Sequence, residues 1–185
     1  MVTKWINNVN EFNNCRGDFV ILQYKKKTEG DNMYTSQQIA DWILSQLNSN
    51  SGDTISPLKL QKLLYYCQAW HYTIFNEVLF DERIEAWTHG PVVPSQYRRF
   101  SYIRLYDNIK INNLNVDVPI LCPKTEELLN EVMNIYGEHS ADYLEKLTHR
   151  ENPWKETRGD LPEYARSDKE ITLNLMKEYY SSINK

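Results

Sequence analysis

The stretch from Ser56 to Ile74 constrains the fold of this chain more than any other. Ser56-Pro57 pairs a capping hydroxyl with a proline at the first helical position, where the missing N–H costs nothing. Leu60, Leu63, Leu64, Cys67, Trp70 and Ile74 then recur at helical spacing. The stripe is broad enough to need neighbours on several sides, so this helix is expected at the centre of the core. With 185 residues, 41% of them hydrophobic and 25% charged, the chain is of ordinary globular composition and long enough for one packed domain.

Other helices are expected around it. Thr35 and Ser36 can cap a helix that carries Ile39, Trp42, Ile43 and Leu47 on one face, and Asn48 to Asp53 ends it. A helix from Ser95 carries Tyr97, Phe100 and Ile103, with Arg98, Arg99 and Arg104 on other faces. Asn112 to Pro123 reads as a loop and Thr125 to Tyr136 as an amphipathic helix stopped at Gly137. Ser140 caps a further helix with Leu144 and Leu147, and Ser167 to Glu170 reads as a capping box opening the last one. That helix is expected to turn Ile171, Leu175, Met176, Tyr179 and Ile183 inward. Of the pairs Tyr65-Tyr66 and Tyr179-Tyr180, one ring each should enter the core and the other lie near the surface, because adjacent helical positions diverge by about 100°.

Two regions break the helical period. Val78 to Thr88 alternates like a short strand or hairpin before the tight turn His89-Gly90-Pro91. Near residue 33 the composition shifts: an Asn-rich N-terminus leads into Asp18 to Tyr24, then Lys25-Lys26-Lys27 and a turn-like run to Asn32. Phe19 to Tyr24 favours β structure and is apolar on both alternating faces, so a strand there wants cover on both sides. The expected architecture is thus α+β and predominantly α: a compact helical domain over 33–185 with a small antiparallel β element, preceded by an extension over 1–32 with a strand of its own.

Several function classes find no support. A net charge of −4 provides no global basic field for nucleic acid or an anionic membrane. No apolar run approaches the roughly 20 residues of a membrane span, and the N-terminus lacks a signal-peptide core, which points to the cytoplasm. Cys15, Cys67 and Cys122 are too few and too far apart for a disulfide framework or a zinc site, and read as reduced thiols. Phosphate-loop, metalloprotease and nucleophile-elbow motifs are absent. Cys67 and His71 share a helix face but lack a third ligand, and read as a buried thiol beside an imidazole bonded to a carbonyl. His89 and His149 read as structural, with Glu151 placed to orient the latter. No cofactor or metal is expected.

The strings Leu58-Lys-Leu-Gln-Lys-Leu-Leu-Tyr-Tyr66, Gln68-Ala-Trp-His71, Ile84-Glu-Ala-Trp87 and His89-Gly-Pro-Val-Val-Pro94 resemble the Panacea domain of SocA/GepA-like phage-associated proteins. Tyr136-Gly137, Ser140-Ala141, Leu147-Thr-His149, Glu151, Pro153-Trp154 and Glu178-Tyr-Tyr180 agree, so the resemblance covers about Met33 to Tyr180. It departs at Cys67, where small residues such as Ala are common, and lacks the helix-turn-helix appendage of some relatives. The resemblance implies a non-enzymatic bacterial antitoxin that neutralises a cognate toxin by direct protein–protein binding, with small alarmone synthetase-like toxins among the partners of such domains. It also leaves open a protease adaptor that delivers the toxin for degradation, a phage-encoded host-modulating protein, and an enzyme centred on His71, His89 or His149.

The shared strings coincide with the expected core, which assigns Leu63, Trp70, Trp87, His89, Gly90, Pro91, His149 and Trp154 to folding. Specificity toward a toxin is then expected in the divergent parts. These are Phe19, Ile21, Tyr24, Lys25, Lys26 and Lys27 in the extension and Tyr97, Arg98 and Tyr102 on the domain.

Overall fold

The computed structural model describes residues 33–47, 54–110, 114 and 116–183; the expected strand Phe19–Tyr24 lies outside them. Each of the first two helices starts where the sequence provides a cap. Helix α1 (Ser36–Ser45) has Thr35 as N-cap, closed into a capping box by Gln38. Helix α2 (Pro57–Phe75) starts on Ser56, whose hydroxyl accepts from the Lys59 N–H, and ends at Asn76 in the left-handed conformation. The hairpin β1 (Glu85–Trp87) and β2 (Gly90–Val92) follows, antiparallel, with Ala86 opposite Pro91.

The remaining helices are α3 (Pro94–Arg99), α4 (Pro123–Tyr136), α5 (Ala141–Arg150), α6 (Asn152–Arg158) and α7 (Leu173–Ile183). Prolines occupy the first turns of α3, α4 and α6, and Ser140 caps α5 through the Tyr143 N–H. Among the described residues the protein is therefore mostly helical with one two-stranded antiparallel sheet, as its sequence pattern implies.

Helix α2 is the axis of the molecule: α1, α3, α4, α5, α7 and β2 all pack on it. Every residue from Leu60 to His71 is buried. At about 1.5–3 kcal/mol for each fully buried large apolar side chain, its leucines and aromatics anchor the hydrophobic core. This enclosure corrects one expectation: Tyr65 and Tyr66 are both buried, because α2 has no solvent side over this stretch.

Three further differences have local causes. The run Ser167–Glu170 does not open the last helix. It lies along the free edge of β1, where the Ala86 N–H donates to the Lys169 carbonyl and the Ile171 N–H to the Ile84 carbonyl. Thr172 caps α7 instead, its hydroxyl accepting from the Leu175 N–H. Ile183 is exposed at the end of α7 rather than inward. The helix expected from Ser95 stops at Arg99, and the buried Phe100 turns the chain toward Ile103.

Candidate functional site

Four polar side chains of α2 carry the segment that follows it. Gln68 accepts from the Leu79 and Phe80 N–H groups at 3.0 and 3.2 Å and donates to the Phe80 carbonyl at 2.9 Å. The Gln61 side chain accepts from the Val93 N–H at 2.8 Å, and one His71 nitrogen meets the Glu77 carbonyl at 2.8 Å. The other nitrogen of His71 meets the Thr125 hydroxyl at 3.1 Å, so both are engaged within the protein. Lys62 is fully buried and donates to the Pro91 carbonyl at 3.0 Å. Burial pulls its ammonium down to about 7. Gly90 fits over this amine only because it has no side chain: a Cβ would come 2.8 Å from Lys62 Nζ and 2.7 Å from Thr148 Oγ1, and its φ of +92° also favours glycine.

At the turn, the exposed His89 Nδ1 lies 2.8 Å from Glu145 Oε1, and the Tyr106 hydroxyl donates to the other oxygen at 3.1 Å. His149 stacks on Trp154 with centroids 4.0 Å apart, and Trp154 Nε1 donates to the Trp87 carbonyl at 2.9 Å. Arg158 lies over the same indole and donates to the carbonyls of Ala86, Pro162, Glu163 and Ala165. That one side chain ties β1 to the chain beyond α6. Leu63 and Trp70 are buried, and Trp70 Nε1 donates to the Tyr136 hydroxyl at 3.0 Å.

Glu151 does not orient His149. Its buried carboxylate accepts from Tyr180 at 2.8 Å and, at 3.4 Å, from Tyr66. Tyr180 in turn meets Tyr65 at 3.2 Å, and Tyr66 stacks on Tyr136 at 3.8 Å. Burial outweighs these donors and raises the Glu151 carboxyl to about 7. Burial also pushes the Cys67 thiol well up, away from the reactive thiolate. Among the described residues no three or more His, Cys, Asp or Glu side chains converge as metal ligands. A cleft of about 200 Å³ lined by Gln68, Phe80, Arg83, Ile171 and Met176 is below the roughly 300–1,000 Å³ of small-molecule sites.

The surface beside the hairpin is aromatic. Tyr97 packs edge-on against Trp87 at 4.8 Å, Arg98 is exposed on the next position of α3, and Tyr102 is 72% exposed just beyond. Tyr106 is also exposed, with its hydroxyl on Glu145. Beneath this surface, the neighbouring Arg99 is fixed by the buried Asp41 at 2.6 Å, while Ser36 and Ser95 both donate to Glu82, so α3 is anchored to α1. The remaining expected contact residues, Phe19, Ile21, Tyr24 and Lys25 to Lys27, lie outside the described residues.

The described part of the protein is a helical domain whose buried polar side chains largely bond its own backbone, with tyrosines exposed on its surface. The family model of the antitoxin SocA-like Panacea domain matches residues 60–155, from α2 to the start of α6. The chain belongs to this family, and its role is that of an antitoxin, whose general partner is a toxin. Searches of curated proteins and of solved structures gave no match. No helix among the described residues is long and apolar enough to cross a membrane.

Proposed function

We propose that the protein neutralises its toxin by direct protein–protein binding in the cytoplasm, without catalysing a reaction. The observation that carries this reading is the patch Tyr97, Arg98 and Tyr102: exposed tyrosine and arginine on and just beyond a short helix that is held from below by Arg99–Asp41 and Ser95–Glu82. Tyr and Arg are the residue types that contribute most at protein interfaces, and a preformed patch loses little entropy on binding. The extension over 1–32 forms the second contact region, with Phe19, Ile21, Tyr24 and Lys25 to Lys27 added to the domain over 33–185. A nucleotide-modifying toxin of the small alarmone synthetase type is the partner class this reading favours.

Affinity capture from the native host, followed by mass spectrometry, tests it. The intact protein is expected to retain a toxin-like protein in stoichiometric amount, and Tyr102→Ala combined with Arg98→Ala to lose at least about tenfold in affinity, as truncated hot-spot residues do. Both side chains are exposed, so thermal stability should stay unchanged. Full retention by the double variant would move the interface elsewhere. A toxin that is bound and also disappears faster in the presence of the protein would indicate delivery to a protease.

A further inference from the structure

The fold uses the imidazole of His89 on one side only. Nδ1 meets Glu145 Oε1 at 2.8 Å, while the His89 side chain is 52% exposed and no protein group among the described residues holds Nε2. The Glu145 side chain is only 15% exposed, and its second oxygen accepts from the hydroxyl of Tyr106, which is 58% exposed. Each oxygen of one sheltered carboxylate thus carries a ring that reaches solvent.

This arrangement fixes what the two rings can offer. As a carboxylate, Glu145 can only accept, so Nδ1 carries the imidazole proton and Nε2 of the neutral ring is an acceptor. Tyr106 likewise spends its proton on Glu145 and keeps oxygen lone pairs for a partner. Burial, with the Glu145 charge second, pushes this phenol up and keeps its proton in place. Among the described residues no lysine or arginine pairs with Glu145. The charged groups around it are committed elsewhere: Asp142 on α5 is paired by Lys146, and the buried Lys62 amine of α2 donates to the Pro91 carbonyl. His149, one turn further along α5, stacks on Trp154.

The three groups are held on separate anchors, so little ordering is needed on binding. Lys62 and the tight approach at Gly90 fix the turn of His89. The Leu58 N–H donates to the Leu105 carbonyl and the Ile109 N–H to the Ile55 carbonyl, which ties the loop of Tyr106 to the start of α2. Tyr97 packs on Trp87, two residues before His89, so the acceptor cluster adjoins the exposed patch on α3.

We infer that His89, Glu145 and Tyr106 form a socket for an arginine side chain of the toxin, an inference that rests on the toxin reading for the identity of its occupant. A guanidinium spreads its N–H donors over a plane, so it can bond His89 Nε2 and the Tyr106 oxygen while its charge meets the carboxylate; a compact ammonium matches this spread less well. The Tyr106 ring adds a face for the same cation. A single half-exposed contact of this kind governs selectivity and association rate more than bulk affinity.

The probe that tests the socket is N-acetyl-arginine methylamide, added to the full-length protein at about pH 8, above the ordinary histidine range. N-acetyl-citrulline methylamide, at matched ionic strength, is its uncharged counterpart. Ring NMR signals of the four histidines report binding. The His89 signal, assigned by its loss in His89→Gln, is expected to shift at least about threefold more with arginine than with citrulline. His139 is the internal control: it stacks on Tyr143 at 4.2 Å with no carboxylate pairing it among the described residues, and should not respond. Glu145→Gln removes the charge and is expected to cut the His89 response at least about threefold with little change in melting temperature. Tyr106→Phe, on an exposed residue, provides the same reading if the first variant folds poorly. Equal shifts with arginine and citrulline, a His139 response as large as that of His89, or a response that both variants leave intact would overturn the inference. A host toxin captured while the probe fails removes this socket alone, whereas a probe that binds while no toxin is captured removes the toxin as its occupant.

Discussion

Two buried ionisable residues give α2 and its neighbours opposite responses to pH. Glu151 titrates at about 7 in the folded protein, above the ordinary 4.5, so the folded state holds this proton more tightly than the unfolded one. Its contribution to stability is therefore greatest at low pH and declines as pH rises from 4.5 to 7, by about 3 kcal/mol in all. Lys62 titrates at about 7 instead of 10.5, so the folded state releases this proton more readily, and stability is regained as pH rises from 7 to 10.5. Burial lowers His71 and His149 as well, which adds stability as pH climbs through the histidine range. Differences between variant and natural protein cancel that background. Urea denaturation across pH is expected to show Glu151→Gln gaining on the natural sequence up to neutrality and then holding its advantage, and Lys62→Met losing ground above neutrality. At Gly90, Gly90→Ala combines an unfavourable φ with contact on Lys62 and Thr148, and is expected to cost about 1–3 kcal/mol in the same assay.

Among the elements, the loop and hairpin over 77–93 depend on α2 for their backbone partners. Gln68→Leu would leave the Leu79 and Phe80 N–H groups and the Phe80 carbonyl unsatisfied in the core, at an expected cost of about 3 kcal/mol and a clearly lower melting temperature. Gln46→Leu, on an exposed residue at the end of α1, serves as the matched control and should change little. Although α6 was not expected and α3 and α4 begin on Pro94 and Pro123 rather than at Ser95 and Thr125, α1, α2 and α5 were legible from the sequence, because Thr35, Ser56-Pro57 and Ser140 mark starts by local chemistry. Their polar contacts were not. Gln61, Lys62 and Gln68 look like a solvated face in a helical pattern, and only the return of residues 77–93 onto that face turns them into core. Glu151 and Arg158 were obscured in the same way, since their partners are tyrosine hydroxyls and carbonyls distant in sequence. Ser167 to Glu170 misled because a local capping signal competed with an open strand edge, and the edge won.

Taken whole, the molecule separates what builds it from what it displays. The family match over 60–155 takes in α2, the elements stapled to it and the exposed Tyr97, Arg98 and Tyr102, and of these the three exposed side chains make the fewest demands on the core. With a net charge of −4, binding through this patch should weaken only modestly when salt rises from about 0.1 to 0.5 M, because aromatic burial rather than long-range attraction carries it. Titration calorimetry with the captured toxin at both salt concentrations checks this; a collapse of affinity at high salt would shift the weight to the cationic run Lys25 to Lys27. The four backbone staples on α2 also bear on how such a protein can change over time. Gln61, Lys62, Gln68 and His71 fix the course of the hairpin by bonding main-chain groups, which every sequence possesses. Exposed side chains on the adjoining α3, such as Tyr97 and Arg98, can therefore be exchanged while these bonds stay in place, and under the proposed binding mode the toxin contact changes while the frame does not.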